Sequence, residues 1–218
     1  MADIVYTYGN QAYLNITNAC PCRCTFCIRN NGDSVGEATT LWFEHSPSID
    51  EIKAEIDKFD FSKYNNSIII CGYGEPTCAL NNLIESCKYL KSKGISIRLN
   101  TNGLSDLINK RETAKDICEV IDTVSISLNA PTAEKYNEIT RPSFGEKSFD
   151  ALLEFAKDAK ECIDKVVFTL VDVISYREHP LDYIPKLVEH RMPAVIVSGD
   201  SDTVVCYEEN GIFLEKAY

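Results

Sequence analysis

Six strand-like runs alternate with helical runs along this chain, and that alternation limits its fold more than any other feature. The strand-like runs are 13–17, 67–71, 95–101, 123–129, 165–173 and 194–198. Between them, Ile49, Ile52, Ile56 and Phe59 recur at helical spacing, and so do Leu80, Leu83, Ile84 and Cys87. Further helices are expected over about 104–120, 148–162 and 180–190. Parallel strands need a long crossover, usually a helix, so the repeat predicts an α/β fold with a parallel sheet. A length of 218 residues suits one domain, 1–218, with ample material for a core. Composition shows no linker, low-complexity tract or internal repeat.

Two of the middle strands carry an alternation that a solid parallel core does not need. In 123–129, Val124, Ile126 and Leu128 share one face, while Ser125, Ser127 and Asn129 share the other. In 95–102, Ile95, Ile97 and Leu99 alternate with Ser96, Arg98, Asn100 and Asn102. Strands covered on both faces read as near-continuous apolar runs instead. An edge strand would explain one polar stripe, but two strands in the middle of the order are not both edges. A curved partial (β/α)6 barrel, TIM-like and open enough to hold a ligand, explains both stripes. Its binding residues then belong at the C-terminal ends of the strands. An unpaired interior arginine is costly, so Arg98 should meet an acidic partner or an anionic ligand.

The first strand runs into Cys20-Pro-Cys-Arg-Cys24-Thr-Phe-Cys27, which holds four of the ten cysteines in eight residues. Cys20, Cys24 and Cys27 have the spacing Cys-x3-Cys-x2-Cys. Three thiolates do not close a structural zinc site, which is normally four-coordinate. They suit an iron–sulfur cluster with one iron left open. A zinc site using Cys22 as well would need ligands one residue apart, a poor match to usual spacings, so Cys22 reads as a non-ligand. Cys87 and Cys118 fall at apolar helical positions and read as core. His45, His179 and His190 are too widely spaced to suggest a metal site.

The start of the chain has no basic segment followed by an apolar run, and no apolar run reaches the roughly 20 residues of a membrane span. A cytoplasmic protein without a membrane partner is the expectation. Clustered cysteines in such a setting point to metal rather than to disulfides. The net charge of −11 argues against nucleic acid, whose binding relies on clustered Lys and Arg.

The second strand ends in Cys71-Gly-Tyr-Gly-Glu-Pro76. Glycines let backbone approach a ligand closely. Glu75 offers an acceptor to a cationic amino group, and Pro76 with Thr77 can open the next helix. By itself this is also an ordinary strand-to-helix turn. Together with the cysteine motif one unit earlier, it resembles the radical S-adenosylmethionine (SAM) superfamily over essentially the whole chain. More narrowly, Tyr13-Leu-Asn-Ile-Thr-Asn, the cysteine run, Gly72-Tyr-Gly-Glu-Pro-Thr-Cys78 and Glu138-Ile-Thr-Arg-Pro142 are similar to the TatD-linked radical SAM proteins.

The resemblance implies that Cys20, Cys24 and Cys27 bind a 4Fe-4S cluster and that SAM chelates the open iron. It places Phe26 near the adenine, and Gly72, Tyr73, Gly74 and Glu75 around the SAM amino group. Ser127 and Asn129 would meet ribose or carboxylate, and Asn100 and Asn102 would touch SAM or substrate. Arg141 would pair with a carboxylate, or else form a surface salt bridge beside Pro142. The implied chemistry is reductive SAM cleavage to a 5′-deoxyadenosyl radical that takes hydrogen from a small polar molecule or a peptide end. A flavodoxin- or ferredoxin-like donor would supply the electron. Candidate residues beside the chemistry are Tyr73, Cys78, Arg98 and Arg141.

Tyr73 departs from the family pattern, which often has glycine there, and would cover the site. Ser175–Pro180 lacks an obvious glycine-rich SAM segment, and Val204–Tyr218 holds no second cysteine cluster, so no auxiliary cluster domain is expected. The competing class is a non-catalytic iron–sulfur or zinc protein, an electron carrier or binding module. A third reading transfers an aminocarboxypropyl group from SAM.

Overall fold

The computed structural model describes residues 2–171 and the strands 194–197, 203–208 and 211–216. Among these described residues one sheet holds nine strands in chain order. These are β1 (Val5–Tyr8), β2 (Gln11–Leu14), β3 (Ser67–Ile70), β4 (Ser96–Thr101), β5 (Thr123–Ser127), β6 (Val166–Val171), β7 (Ala194–Val197), β8 (Thr203–Glu208) and β9 (Gly211–Lys216). From β2 to β7 every neighbouring pair is parallel, which is the six-stranded wall read from the sequence. Three antiparallel strands extend it, β1 on one side and β8 and β9 on the other. The β1–β2 hairpin escaped the sequence reading because β1 has only four residues and no helix separates it from β2. Its two-residue turn begins at Gly9, whose φ of +56° suits glycine.

Among the described residues the α-helices are α1 (Ile49–Lys58), α2 (Leu80–Ser92), α3 (Ser105–Asn109), α4 (Ala114–Cys118), α5 (Ala133–Thr140) and α6 (Lys147–Cys162). A capping box opens α1: Ser48 Oγ accepts from the Glu51 N–H, and the Ser48 N–H donates to the Glu51 carboxylate. The single helix expected over 104–120 is two short ones. Lys110 adopts a left-handed φ of +56° and closes α3, while Asp106 Oδ1 takes the Thr113 N–H and hydroxyl at 2.9 and 2.7 Å, just before α4. Helix α5 was not anticipated, and the helix expected over 180–190 lies outside the described residues. Among the described residues, no helix is long and apolar enough to cross a membrane.

The two faces of the sheet differ as their alternation demands. Ile68, Ile70, Ile97, Leu99, Val124, Ile126 and Phe168 are buried beside Leu83, Cys87 and Leu90 of α2 and Leu152, Phe155 and Ala159 of α6. Each such apolar side chain contributes roughly 1.5–3 kcal/mol of burial. Cys87 and Cys118 lie in this core, as expected. The polar stripe runs across the opposite face. Register pairs Tyr13 with Ile69, Ile69 with Arg98 and Arg98 with Thr123. One step further along, Asn100 pairs with Ser125 and Ser125 with Val167, then Ser127 with Thr169.

Candidate active site

The chain leaves β2 through Asn15-Ile-Thr-Asn-Ala19 and enters the cysteine loop at the C-terminal end of the strands. Main-chain bonds from the end of α5 fix this loop. The Arg23 N–H donates to Thr140 O (3.0 Å), the Thr25 N–H to Ile139 O (2.8 Å), and the Ser143 N–H to Pro21 O (2.8 Å). Glu138-Ile-Thr-Arg-Pro142, noted from the sequence only as part of a resemblance, is thus the loop's brace.

Within the loop, Cys20, Cys24 and Cys27 are partly exposed, whereas Cys22 is buried. The Cys22 thiol lies within hydrogen-bond reach of both Cys20 and Cys24. Donation from Cys22 holds those two thiols below the ordinary range and pushes its own acidity the other way. The Asn102 amide also reaches Cys22 Sγ, at 3.7 Å. Arg29 Nε donates to Cys27 Sγ at 3.3 Å, and its guanidinium lies over the Trp42 ring, 5.7 Å from the centroid. Beside Cys24 and Cys27 opens a depression of about 540 Å³, lined also by Arg23, Arg29, Trp42 and Arg141. Arg141, exposed and left-handed at φ +46°, therefore stands by the cysteines. Among the described residues, no three His, Cys, Asp or Glu side chains converge tightly enough for a single metal ion. Three soft, accessible thiols spread along one loop are a donor set that fits a cluster, in which each thiolate takes a different iron.

The turn after β3 packs tightly on the loop that leads to the cysteines. A Cβ on Gly72 would lie 2.2 Å from Asn15 Oδ1, and one on Gly74 would lie 2.2 Å from Thr17 O and 2.8 Å from Ala19 O. The glycines allow close approach to the neighbouring chain, which carries the cysteines, rather than to open space for a ligand. Glu75 is 4% exposed and already engaged. Its Oε1 accepts from the Thr77 N–H (3.2 Å) and from the hydroxyls of Thr77 (2.8 Å) and Thr101 (2.7 Å). Its Oε2 accepts from the Asn102 N–H (2.8 Å). Burial raises its pKa against these four bonds. Glu75 thus ties the end of β3 to the end of β4, a structural task that the expected contact with an amino group did not foresee. Asn102 is held in turn: its Oδ1 takes the Leu104 N–H at 2.9 Å.

Tyr73 does not hang free over the mouth. It is 1% exposed, packs with Tyr6 and Leu41, and donates its hydroxyl to Gly32 O at 2.8 Å. Trp42 meets it edge-on at 5.2 Å. Asn15 and Asn18, to which the sequence pattern assigns no role, fasten the same segment. Asn15 Nδ2 and Asn18 Nδ2 both donate to Leu41 O (2.9 and 2.8 Å), and Asn18 Oδ1 takes the Phe43 N–H (2.6 Å). A polar residue at the buried end of an otherwise apolar strand was the available signal.

Phe26 is partly buried and packs against the main core. Cys78 lines a separate polar depression with Asn81, Asn82, Asn109 and Arg111, and burial pushes its thiol up to about 12. Asn129 is buried just past β5 with φ +57°, and Ser127 is partly accessible. Arg98 Nε donates to Asn100 Oδ1 (3.0 Å) and its Nη2 to Ser125 Oγ (2.9 Å). The expected acidic partner of Arg98 is not found among the described residues. Ser175–Pro180 lies outside them.

Comparison with known proteins bears on this arrangement. A model of the Radical SAM superfamily matches residues 14–205. The probable dual-specificity RNA methyltransferase RlmN of Thermoanaerobacter sp. (strain X514) is 30% identical over 143 residues, 60% of this chain and 36% of that protein. A radical SAM methyltransferase from Sphaerobacter thermophilus superposes with a TM-score of 0.64 at 14% identity, covering 89% of this chain and 57% of that one. Native anSMEcpe with bound AdoMet gives 0.62 at 18% identity, covering 85% and 50%. The chain thus spans about a third of that curated relative and about half of these solved structures, which establish the TIM-like partial barrel. The chain belongs to the Radical SAM superfamily, whose members bind a 4Fe-4S cluster and SAM.

Proposed function

We propose that this chain is a radical SAM enzyme acting on a small polar substrate held inside the barrel, and that it falls in the TatD-linked group. The observation that carries the reading is the cysteine loop at the C-terminal end of the strands, where Cys20, Cys24 and Cys27 are partly exposed while Cys22, in contact with Cys20 and Cys24, is buried. Cys20, Cys24 and Cys27 would hold the cluster, with SAM beside it. When bound, these cofactors supply a 5′-deoxyadenosyl radical, by one-electron cleavage of the S–C5′ bond, that removes a hydrogen atom from the substrate.

The residues of the chain bind, orient and shield. The Arg29 N–H at Cys27 Sγ offsets thiolate charge. Arg141, beside Cys24 and Cys27, supplies a cation for a carboxylate. Backbone at Gly72–Gly74 faces the cysteine loop, and Glu75 fixes Asn102 and Thr101 at the mouth. Ser127 and Asn129 offer polar contacts at the end of β5. A flavodoxin- or ferredoxin-like donor in the cytoplasm is the partner we assign. The curated relative's name mentions RNA, but a net charge of −11 opposes a long phosphate backbone and favours a small substrate.

Anaerobic reconstitution with iron and sulfide, followed by dithionite and SAM, tests the reading. The expected product is 5′-deoxyadenosine. Iron retention should be lost on replacing Cys20, Cys24 or Cys27 with Ala and kept on replacing Cys22. A reconstituted cluster that yields no 5′-deoxyadenosine, or isolated protein with one zinc and no iron, would overturn it. Methylthioadenosine instead would indicate aminocarboxypropyl transfer.

A further inference from the structure

We propose that Arg98 is an anion-recognition residue inside the barrel, holding a carboxylate or phosphate group of the substrate; the assignment of that anion to a substrate rests on the enzymatic reading above. Arg98 is the third residue of β4 and lies on the polar stripe, paired in register with Ile69 and Thr123. A guanidinium carries five N–H donors in a fixed fork and no acceptor. Two of these are used, on Asn100 Oδ1 and Ser125 Oγ. The other three meet no acceptor among the described residues. No carboxylate of those residues comes within ion-pair distance, although nine side-chain ion pairs form elsewhere among them, all with partners at the surface.

The described groups that face Arg98 do not neutralise it. They are the hydroxyl of Tyr13 on β2, the thiol of Cys71 just past β3, and the neutral side chains of Asn100 and Ser125. Burial raises Tyr13 and lifts Cys71 to about 11, so both are neutral near pH 7. A largely buried cation with free donors and no counter-ion among the described residues is an energetic debt that an anionic ligand discharges.

There is room beside it. A half-open depression of about 140 Å³ touches Arg98 from the starts of the strands, lined also by Gln11, Ser67, Ser96 and Thr123. At roughly 30 Å³ per water, it holds four or five waters or one small anionic group. The position also sets substrate length. Arg98 and Asn102 are four residues apart on an extended strand, about 13 Å at the usual rise. The guanidinium already reaches Asn100 Oδ1, two residues or about 7 Å short of Asn102, so a short acid or phosphate ester anchored there would point its other end toward Asn102, fixed in orientation by the guanidinium fork. A chain of net charge −11 repels anions at long range, so its selectivity for one needs a local cation.

Inorganic phosphate and succinate, titrated separately into anaerobically reconstituted protein saturated with SAM, are the probes, with binding read by calorimetry and thermal shift. Wild type should show saturable binding of at least one. Arg98→Gln should weaken it at least tenfold, and Arg98→Lys, which keeps charge but loses the fork, by a smaller factor. Should Arg98→Gln fail to fold, the lysine variant carries the comparison. Equal anion binding in wild type and variants would overturn the proposal. So would anion binding seen only without SAM, since the site would then be SAM's own carboxylate subsite. The same samples are assayed for 5′-deoxyadenosine. Arg98-dependent binding without that product overturns the enzymatic reading and leaves the anion site; the product without Arg98-dependent binding does the reverse.

Discussion

Replacing Gly74 with alanine asks whether the turn after β3 holds the cysteine loop in place by contact. The new methyl carbon would lie 2.2 Å from Thr17 O and 2.8 Å from both the Thr17 carbonyl carbon and Ala19 O. All three are backbone atoms, so no side chain can rotate aside. Relief requires the two segments to part by about 1 Å, the difference from ordinary non-bonded separation. That movement stretches the 2.8 Å bond from the Glu75 N–H to Ala19 O. Overpacking of this kind costs about 1–3 kcal/mol, and a lost hydrogen bond adds about 1, for roughly 2–4 kcal/mol together. Urea unfolding of the metal-free protein measures the loss, and iron bound per chain after reconstitution measures the effect on the loop. Gly94→Ala is the control. Its φ of +76° makes alanine cost about 1–2 kcal/mol through the backbone. Nothing lies within 4 Å of the added methyl, so iron binding should survive. A Gly74→Ala protein with wild-type urea midpoint and full iron content would refute the argument.

Two further perturbations follow from the same geometry. Glu75→Gln keeps shape but turns an amide N–H₂ toward the Asn102 N–H or toward the threonine donors, so urea unfolding should report a loss of about 1.5–3 kcal/mol; an unchanged midpoint would show that the carboxylate is not the tie between β3 and β4. Burial opposes ionisation of Asp122, but bonds from Lys91 and the Ile97 N–H outweigh it and hold its pKa below 3.8. A carboxyl depressed in the folded state stabilises above its unfolded pKa and loses that contribution as pH falls through the folded value. Stability of Asp122→Asn should therefore fall less steeply than wild type below about pH 4, and identical acid profiles would contradict the reading.

Much of this architecture is legible in the sequence because period and spacing report on it directly. Val124, Ile126 and Leu128 alternate with Ser125, Ser127 and Asn129; the first three join the apolar core, while Ser125 and Asn129 are buried on the opposite, polar face. The parallel wall follows from six such runs separated by helical lengths. Contacts between distant residues are less legible. A glycine announces that something comes close, but not what; at Gly72 and Gly74 it is the chain from Asn15 to Ala19. A glutamate at a strand end is equally suited to a ligand or to backbone amides, and Glu75 has taken protein donors. The break between α3 and α4 depends on Lys110 adopting a left-handed conformation, which a lysine does not advertise. Strand β1 is too short to stand out until its partner is seen.

The three bonds between the end of α5 and the cysteine loop run from main chain to main chain. Placement of the loop is therefore uncoupled from the identity of the side chains at Arg23 and Thr25 in the loop and at Ser143 beyond α5. Those positions are open to redesign: charge or bulk at 23 and 25, both exposed, can be exchanged to alter what approaches the depression without relocating the thiols. The loop serves as a socket whose rim is interchangeable and whose seat is not.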